Sequence, residues 1–409
     1  MTATVVLILS VGCPLAALGC SNATTPASAA DSGAAGAADG SVSVPTDSSV
    51  SPPTDGGSNP GTQDGADSST PADGGAPALV QVPLGGYVGT WLGDPGSQYY
   101  ASWSDHWSAF ATVMGGRVPT LVGLPGMPYP ATNPDQWPTQ SQYNVGNWPS
   151  VLPKTTSPIL TIWYVDENQD PIYSEAVDGT LYAGHDVDYW IAQMLQPYAD
   201  FGVKKIYLRP AWEFNDAFMG QGFVDAGGPS TFVTAMQRFY TAAHAWGTAN
   251  DVTVRVAWNP SVYGQATDGV TLDAQFPDQT PGDQYVDVVC ADFYAFGNSL
   301  ATQPLGGPTV FTLTAMVALS QKWNLPLGFC ELGDGLYMNE DPTLVWLPNL
   351  IHYLQTLSTA SPPVPIEFMN LWDVENIEWS PPQVNRADEA AGWKAALGAG
   401  GSLVTMPVP

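Results

Sequence analysis

Basic residues are scarce in this chain, which has 10 Lys and Arg against 38 Asp and Glu. Proteins hold a nucleic-acid backbone with clustered positive charge, so this composition excludes nucleic acid as a partner. An acidic polymer would be repelled by the net charge of −28, whereas neutral partners remain open. The acidity is equally consistent with a charge that only keeps an exported protein soluble.

Metal ligands are also few. The four histidines are scattered, and none lies at ligand-like spacing from a cysteine. The sequence therefore predicts no catalytic metal and no cofactor. The histidines are His106, His185, His244 and His352.

An apolar run at 5–20 is too short, and too soon followed by polar residues, to predict a membrane span. Its end, Ala17-Leu18-Gly19-Cys20, resembles a bacterial lipoprotein signal. Two features depart from that pattern: no Lys or Arg precedes Arg117, and Leu is commoner at the position of Ala17. We predict a signal peptide over 1–20 and a secreted or cell-surface lipoprotein, with membrane contact only through a lipid anchor on Cys20.

Residues 21–78 lack aromatic residues, Lys and Arg, and consist almost entirely of Ser, Ala, Gly, Pro, Thr and Asp. Such a segment cannot bury enough apolar surface to offset its ordering entropy. We predict a disordered linker over 21–78 and one folded domain over 79–409, which still carries a net charge of about −21. We expect that domain to be a monomer.

Short apolar runs alternate with helical patterns through the folded part. Strands are predicted at 85–91, 117–125, 157–165, 203–212, 252–260, 284–297, 325–333 and 364–373. Helices are predicted at 98–115, 186–202, 230–247, 311–324, 344–358 and 387–400. Asp186 and Ser230 are expected N-caps, and Gly202 an expected C-terminal stop.

This order predicts an α/β fold, a (β/α)8 TIM barrel, because its strands are apolar along nearly their whole length. A doubly wound open sheet is the alternative. No Gly-rich phosphate-binding pattern follows the first strand, which disfavours that alternative.

Several tryptophans, among them Trp91, Trp137 and Trp148, lie in stretches rich in Pro and Gly. The stretch 125–158 is predicted to be a long irregular loop. An indole in a loop can stack on the apolar face of a sugar ring, although ordinary packing is the commoner role for any one of them.

Cys290 and Cys330 are the cysteines of the folded part, on strands expected to be adjacent and parallel. Two-residue alternation places Cys290 inward with Tyr294. If Glu331 points inward, the same alternation places Cys330 outward. That geometry is poor for a disulfide, so we predict two buried thiols.

Two carboxylates follow predicted strands: Glu213 ends KKIYLRPAWE and Glu331 ends LPLGFCE. The carboxyl ends of barrel strands carry the active site. Alternation gives Arg209, Ala211 and Glu213 one facing, so Arg209 can orient neighbouring acids. A pair of carboxylates, one acid and one nucleophile, is what cleavage of a glycosidic bond needs.

These segments resemble glycoside hydrolase family 26, a clan A family of (β/α)8 enzymes best known for endo-β-1,4-mannanases. The resemblance is carried by 209–215 (RPAWEFN), 256–260 (VAWNP), 285–294 (YVDVVCADFY) and 330–333 (CELG). One departure is Trp212, where the family usually has His directly before the acid/base Glu.

The resemblance implies a retaining double displacement on a neutral β-linked glycan, with Glu331 as nucleophile and Glu213 as acid/base. It also implies that the carboxyl groups lie roughly 5–5.5 Å apart. Tyr294 is expected to donate a hydrogen bond to Glu331, and Trp372 to form a floor for the sugar. The full set of expected substrate-binding residues is Arg209, Trp212, Asn215, Trp258, Tyr294, Trp372 and Trp163.

Two other functions remain open. One is a glycan-binding barrel lipoprotein without catalysis. The other is a transglycosylase or a different clan A β-glycanase. Other acids at strand ends could also contact sugar hydroxyls, and these are Asp166, Glu167, Asp373 and Glu375.

Overall fold

Eight parallel strands close into a barrel in which each strand pairs with the next and the last returns to the first. The computed structural model describes residues 82–87, 119–126, 133–148, 152–166, 172–212, 229–260, 283–294, 313–333, 346–358 and 360–371. The strands are β1 Leu84–Tyr87, β2 Leu121–Pro125, β3 Ser157–Ile162, β4 Lys205–Pro210, β5 Thr253–Trp258, β6 Val288–Tyr294, β7 Leu327–Gly333 and β8 Ile366–Leu371. The predicted (β/α)8 barrel is confirmed.

Helices follow the strands in chain order. Within the described residues they are α1 Trp137–Gly146, α2 Tyr173–Asp178, α3 Val187–Phe201, α4 Pro229–Asn250, α5 Leu313–Trp323 and α6 Trp346–Ser358. The predicted helices at 98–115 and 387–400, the signal at 1–20 and the linker at 21–78 lie outside the described residues. None of the described helices has the length and apolar character needed to cross a bilayer.

Helix α3 begins and ends where its sequence predicts. The Asp186 carboxylate accepts a hydrogen bond from the Tyr189 backbone N–H at 2.9 Å, which satisfies one free donor of the first turn. Gly202 ends the helix with φ 104°, a left-handed conformation that favours glycine.

Helix α4 differs from its prediction at both ends. It begins at Pro229, so Ser230 lies inside its first turn and the expected capping role is wrong. It also continues through Gly247 to Asn250. A Cβ at Gly247 would lie 2.7 Å from the Val252 carbonyl oxygen, so this glycine permits close packing of the helix instead of ending it.

The predicted irregular loop over 125–158 is wrong, because it contains α1 and a preceding 3-10 turn at Pro134–Gln136. Pro134 and Pro138 occupy first-turn positions, where proline favours a helix start. Trp137 packs edge-on to Tyr164, and Trp148 is also buried. These two tryptophans therefore serve packing, while Trp91 lies outside the described residues.

The side chains that point into the barrel form a layer of their own, separate from the larger core between barrel and helices. Nearly every strand contributes to it by two-residue alternation. The members of this interior layer are Leu121, Ile159, Tyr207, Ala257, Val288, Cys290, Cys330 and Phe368.

A β-bulge interrupts the pairing of β6 with β7. Ala291 pairs with Phe329, but the next pair is Asp292 with Glu331, so Cys330 is the extra residue. The bulge lets Cys330 join the interior layer while Glu331 also points inward. The expectation that Cys330 points outward is therefore wrong.

The expectation of two buried thiols is confirmed, since Cys290 and Cys330 are both buried and free. Burial, and secondly the hydrogen bond with Cys330, raise the pKa of the Cys290 thiol well above its ordinary value.

Candidate active site

Buried polar side chains collect at the carboxyl ends of five neighbouring strands. Each follows an interior-layer residue along its own strand and so lies one step nearer the barrel mouth. None is more than 6% exposed. They are Thr161 of β3, Arg209 of β4, Asn259 directly after β5, Asp292 of β6 and Glu331 of β7.

Arg209 connects the other four side chains. Its Nη1 donates to Glu331 Oε1 at 2.6 Å and to Thr161 Oγ1 at 3.4 Å. Its Nη2 donates to Asp292 Oδ2, and its Nε donates to Asn259 Oδ1. Burial lowers the pKa of Arg209, but the charges of Asp292 and Glu331 outweigh that effect and the net shift is upward. The guanidinium therefore stays charged.

Asp292 accepts hydrogen bonds on both carboxylate oxygens. Trp212 Nε1 donates to Oδ2 at 2.9 Å, beside Arg209, and Asn259 Nδ2 donates to Oδ1 at 3.2 Å. Burial, and secondly the charge of Glu331, raise the pKa of Asp292 to about 7, although the hydrogen bonds and Arg209 act in the opposite direction. One buried cation thus faces two buried carboxyl groups.

Glu331 owes its position to the β6–β7 bulge. It is 2% exposed and lies directly across the ladder from Asp292. Arg209 fixes its Oε1. The expected donor Tyr294 pairs through its backbone with Gly333, but its side chain lies outside the described part of the chain.

A left-handed residue aims Trp212 at this cluster. Ala211 has φ 53° and packs with the outer core, so the expected common facing of Arg209 and Ala211 is wrong. Beyond this break in alternation, the partly exposed Trp212 stacks on the partly exposed Trp163, with ring centroids 5.3 Å apart and planes 6° apart. The Arg209 guanidinium carbon lies 5.1 Å from the centroid of the Trp212 ring.

Two of the predicted substrate-binding residues are buried among protein side chains. Arg209 is 1% exposed, and each of its guanidinium nitrogens donates to a protein side chain of the cluster. Trp258 packs with the outer core and edge-on to Trp323 of α5, with centroids 6.3 Å apart. It follows the inward-facing Ala257 and therefore points away from the barrel interior.

Sequence reasoning missed Asp292 and Asn259. Both carried a signal: Asp292 shares the alternation of Cys290 and Tyr294, and Asn259 shares that of Ala257. A charged residue inside an apolar strand needs a buried partner, and Arg209 was the available one.

Several predicted residues lie outside the described residues. Glu213 is one of them, so the expected separation between its carboxyl group and that of Glu331 stays a prediction. The full set is Glu213, Asn215, Trp372, Glu167, Asp373 and Glu375. Asp166 is described and partly exposed, four residues after the end of β3. In the described part of the chain, no group of three or more His, Cys, Asp or Glu side chains is placed to hold a metal ion.

No family model matches the chain, and no curated protein matches it. Solved structures do. The structure is similar to a double mutant of an endo-β-1,4-mannanase from Cellulomonas fimi, at 15% identity and a TM-score of 0.50, covering 80% of this chain and 76% of that one. It is also similar to the catalytic domain of a GH26 endo-β-1,4-mannanase from Bacillus sp. JAMB-750, at 16% identity and a TM-score of 0.51, covering 80% and 87%. The resemblance to family 26 is thus confirmed for the fold.

Proposed function

We propose that this protein is a retaining glycoside hydrolase that cleaves a neutral β-linked polysaccharide, and that it acts as an endo-enzyme with β-1,4-mannan as the preferred substrate. The observation that carries the proposal is the Glu331 carboxyl group, held by Arg209 at 2.6 Å at the carboxyl end of β7. Active sites of (β/α)8 enzymes are built at this end of the barrel.

The reaction proceeds in two displacements. In the first, a Glu331 oxygen bonds to the anomeric carbon while the bond to the leaving oxygen breaks, and Glu213 gives that oxygen its proton. In the second, Glu213 takes a proton from water, the water oxygen bonds to the anomeric carbon, and the ester to Glu331 breaks. Both residues return to their starting protonation states.

The buried polar cluster supports the role of Glu331 as nucleophile. Arg209 is itself held by Asp292 and Asn259, so it cannot follow a moving carboxylate. Glu331 Oε1 is therefore fixed before substrate arrives, and an already ordered charge costs no reorganisation during the reaction.

Aromatic and charge properties support a neutral sugar chain as substrate. The partly exposed Trp163, directly after β3, offers an indole at the same end of the barrel, where it can stack on a pyranose ring. The net charge of −28 disfavours acidic polysaccharides. The preference for mannan rests on the two similar solved structures, both β-1,4-mannanases.

We propose further that the domain is monomeric and displayed at the cell surface. The apolar run ending in Cys20 supports export and lipidation, and the composition of 21–78 supports a flexible tether. Radiolabelled palmitate incorporated by wild type and lost in Cys20→Ala would test the anchor.

The test of the reaction compares wild type with Glu331→Gln on mannan, β-glucan and xylan, measuring released reducing ends. We expect cleavage of mannan with retained anomeric configuration by NMR, and a fall in kcat of about a thousandfold or more in the variant. Glu367→Gln is the matched control, since Glu367 is a part-buried acid bonded to Lys205 and Tyr207. It should remain active.

Three results would contradict the proposal. Binding of glycan without released sugar by wild type would identify a binding protein. Products longer than a defined oligosaccharide substrate would identify a transglycosylase. Undiminished turnover in a folded Glu331→Gln protein would remove Glu331 from the reaction.

A further inference from the structure

We propose that Trp212 is a positioning residue that acts through Asp292. Its indole N–H holds the Asp292 carboxylate against Arg209, and Arg209 in turn holds Glu331 in place for attack. This inference rests on the proposed function and assigns Trp212 a role other than stacking on the sugar.

The contacts of Trp212 are directed at the protein. Its Nε1 donates to Asp292 Oδ2 at 2.9 Å. Its ring lies parallel to Trp163, and the Arg209 guanidinium lies over the ring, 5.1 Å from the centroid. An indole already stacked by one ring and covered by a cation has little face left for a pyranose.

The path from Trp212 to the reacting carboxylate consists of three consecutive hydrogen bonds. Trp212 and Arg209 Nη2 both donate to the same oxygen of Asp292. The neighbouring Nη1 of the same guanidinium donates to Glu331 at 2.6 Å. Because the guanidinium is rigid and planar, a shift of Asp292 moves the donor that holds Glu331.

An indole nitrogen only donates, so its hydrogen bond favours an Asp292 that accepts, which is the carboxylate form. The charged groups that face Asp292 in the described residues are Arg209 from β4 and Glu331 from β7, with the Cys290 thiol on its own strand. Burial and the charge of Glu331 oppose that form and raise the pKa of Asp292 to about 7. Trp212 therefore donates a hydrogen bond to a carboxyl group whose protonated and ionised forms are similarly populated near neutral pH.

Removal of the N–H should therefore raise the pKa of Asp292, so that Asp292 stays protonated up to a higher pH. A protonated Asp292 has no negative charge to attract Arg209 Nη2, so the guanidinium loses one of the ionic contacts that hold it in place. Since a hydrogen bond to a charged group shifts a pKa by about one to two units, the acidic limb of the kcat/KM profile should move upward by that amount in Trp212→Phe. The basic limb, which belongs to the acid/base residue, should stay in place.

The experiment uses the full chain and compares wild type, Trp212→Phe and Trp163→Phe. Trp163→Phe is the matched control, because it removes an indole N–H from the other ring of the stack, and its acidic limb should not move. Replacement of Trp212 by 3-benzothienylalanine removes the N–H alone and preserves the ring, so it decides the question if the Phe variant does not fold. Trp212→His restores a ring N–H and should return the limb toward its original pH.

A second measurement is independent of activity. The Asp292 carboxyl is titrated by carbon-13 NMR, its signal assigned by loss in Asp292→Asn. The midpoint should rise by about one to two pH units in Trp212→Phe and stay unchanged in Trp163→Phe. If wild type cleaves no glycan, the proposed function fails while this titration still decides whether Trp212 controls Asp292.

Three outcomes would overturn the inference. A raised KM with both pH limbs unmoved would show that Trp212 contacts the sugar. A shift of the basic limb alone would show that Trp212 acts on Glu213, its neighbour in the chain. An unmoved Asp292 midpoint in both Trp212→Phe and the protein with 3-benzothienylalanine at position 212 would reject the inference whatever the kinetics.

Discussion

Replacement of Asp292 by Asn should change the pH dependence of stability by an amount that follows from the structure. Asn has nearly the same shape but does not titrate. The pKa of Asp292 is raised from its ordinary 3.8 to about 7, chiefly by burial. A shift of that size corresponds to about 4 kcal/mol of difference between the two protonation states.

The sign follows from proton binding. Between about pH 4 and pH 7, folded wild type holds a proton on Asp292 that the unfolded chain has released, so wild-type stability falls as pH rises through this window. Asp292→Asn lacks that proton in both states. The stability of the variant relative to wild type should therefore increase by about 4 kcal/mol between about pH 4 and about pH 8.

The assay is urea unfolding followed by tryptophan fluorescence at several pH values. Only the difference between the two proteins is used, because groups that titrate alike in both cancel. Asp251→Asn is the control: Asp251 is an exposed acid bonded to Lys204, and this hydrogen bond lowers its pKa. The stabilisation that the Asp251 carboxylate contributes is lost as pH falls. The stability of Asp251→Asn relative to wild type should therefore change little with pH, and in the opposite direction. A flat Asp292→Asn difference would refute the reasoning, since it would mean an ordinary pKa for Asp292.

Two further predictions test the packing that frames the site. Gly328→Ala should lower stability by about 1–3 kcal/mol and reduce the Tm, because its Cβ would lie 2.8 Å from Phe368 Cζ and 3.0 Å from Cys290 Sγ. Gly146→Ala, with no atom within 4 Å of the added Cβ, should leave the Tm unchanged or slightly higher; equal losses in both would contradict the packing argument. Trp258→Phe should keep full glycan cleavage and lose about 1–2 kcal/mol in urea unfolding, since Trp258 packs outside the barrel. A large fall in kcat would show that Trp258 reaches the substrate after all.

The barrel was predictable because its signals are local. The consecutive apolar residues Ile206, Tyr207 and Leu208 after Gly202 predict strand β4, and the Asp186 cap with an apolar face predicts α3. Burial on both faces makes the strands apolar along most of their length, and this pattern needs no knowledge of distant partners.

The errors came where a helix signal was weak or a single residue broke the local rule. Helix α1 was missed because its prolines suggested a loop, although both lie in first turns. The facing of Cys330 was wrong because a bulge adds a residue, and the facing of Trp212 could not be foreseen past the left-handed Ala211. Bulges and positive φ values depend on the neighbouring strands, which sequence periodicity does not contain.

The sequence by itself determined the barrel, the position of Glu331 at the end of its strand and the acidic character of the chain, because each depends on residue type and local spacing. Tertiary structure alone decided that Arg209 holds two carboxyl groups at once and that Trp212 donates to one of them. Those contacts join strands that are distant in the chain, and only closure of the barrel brings them within hydrogen-bonding distance.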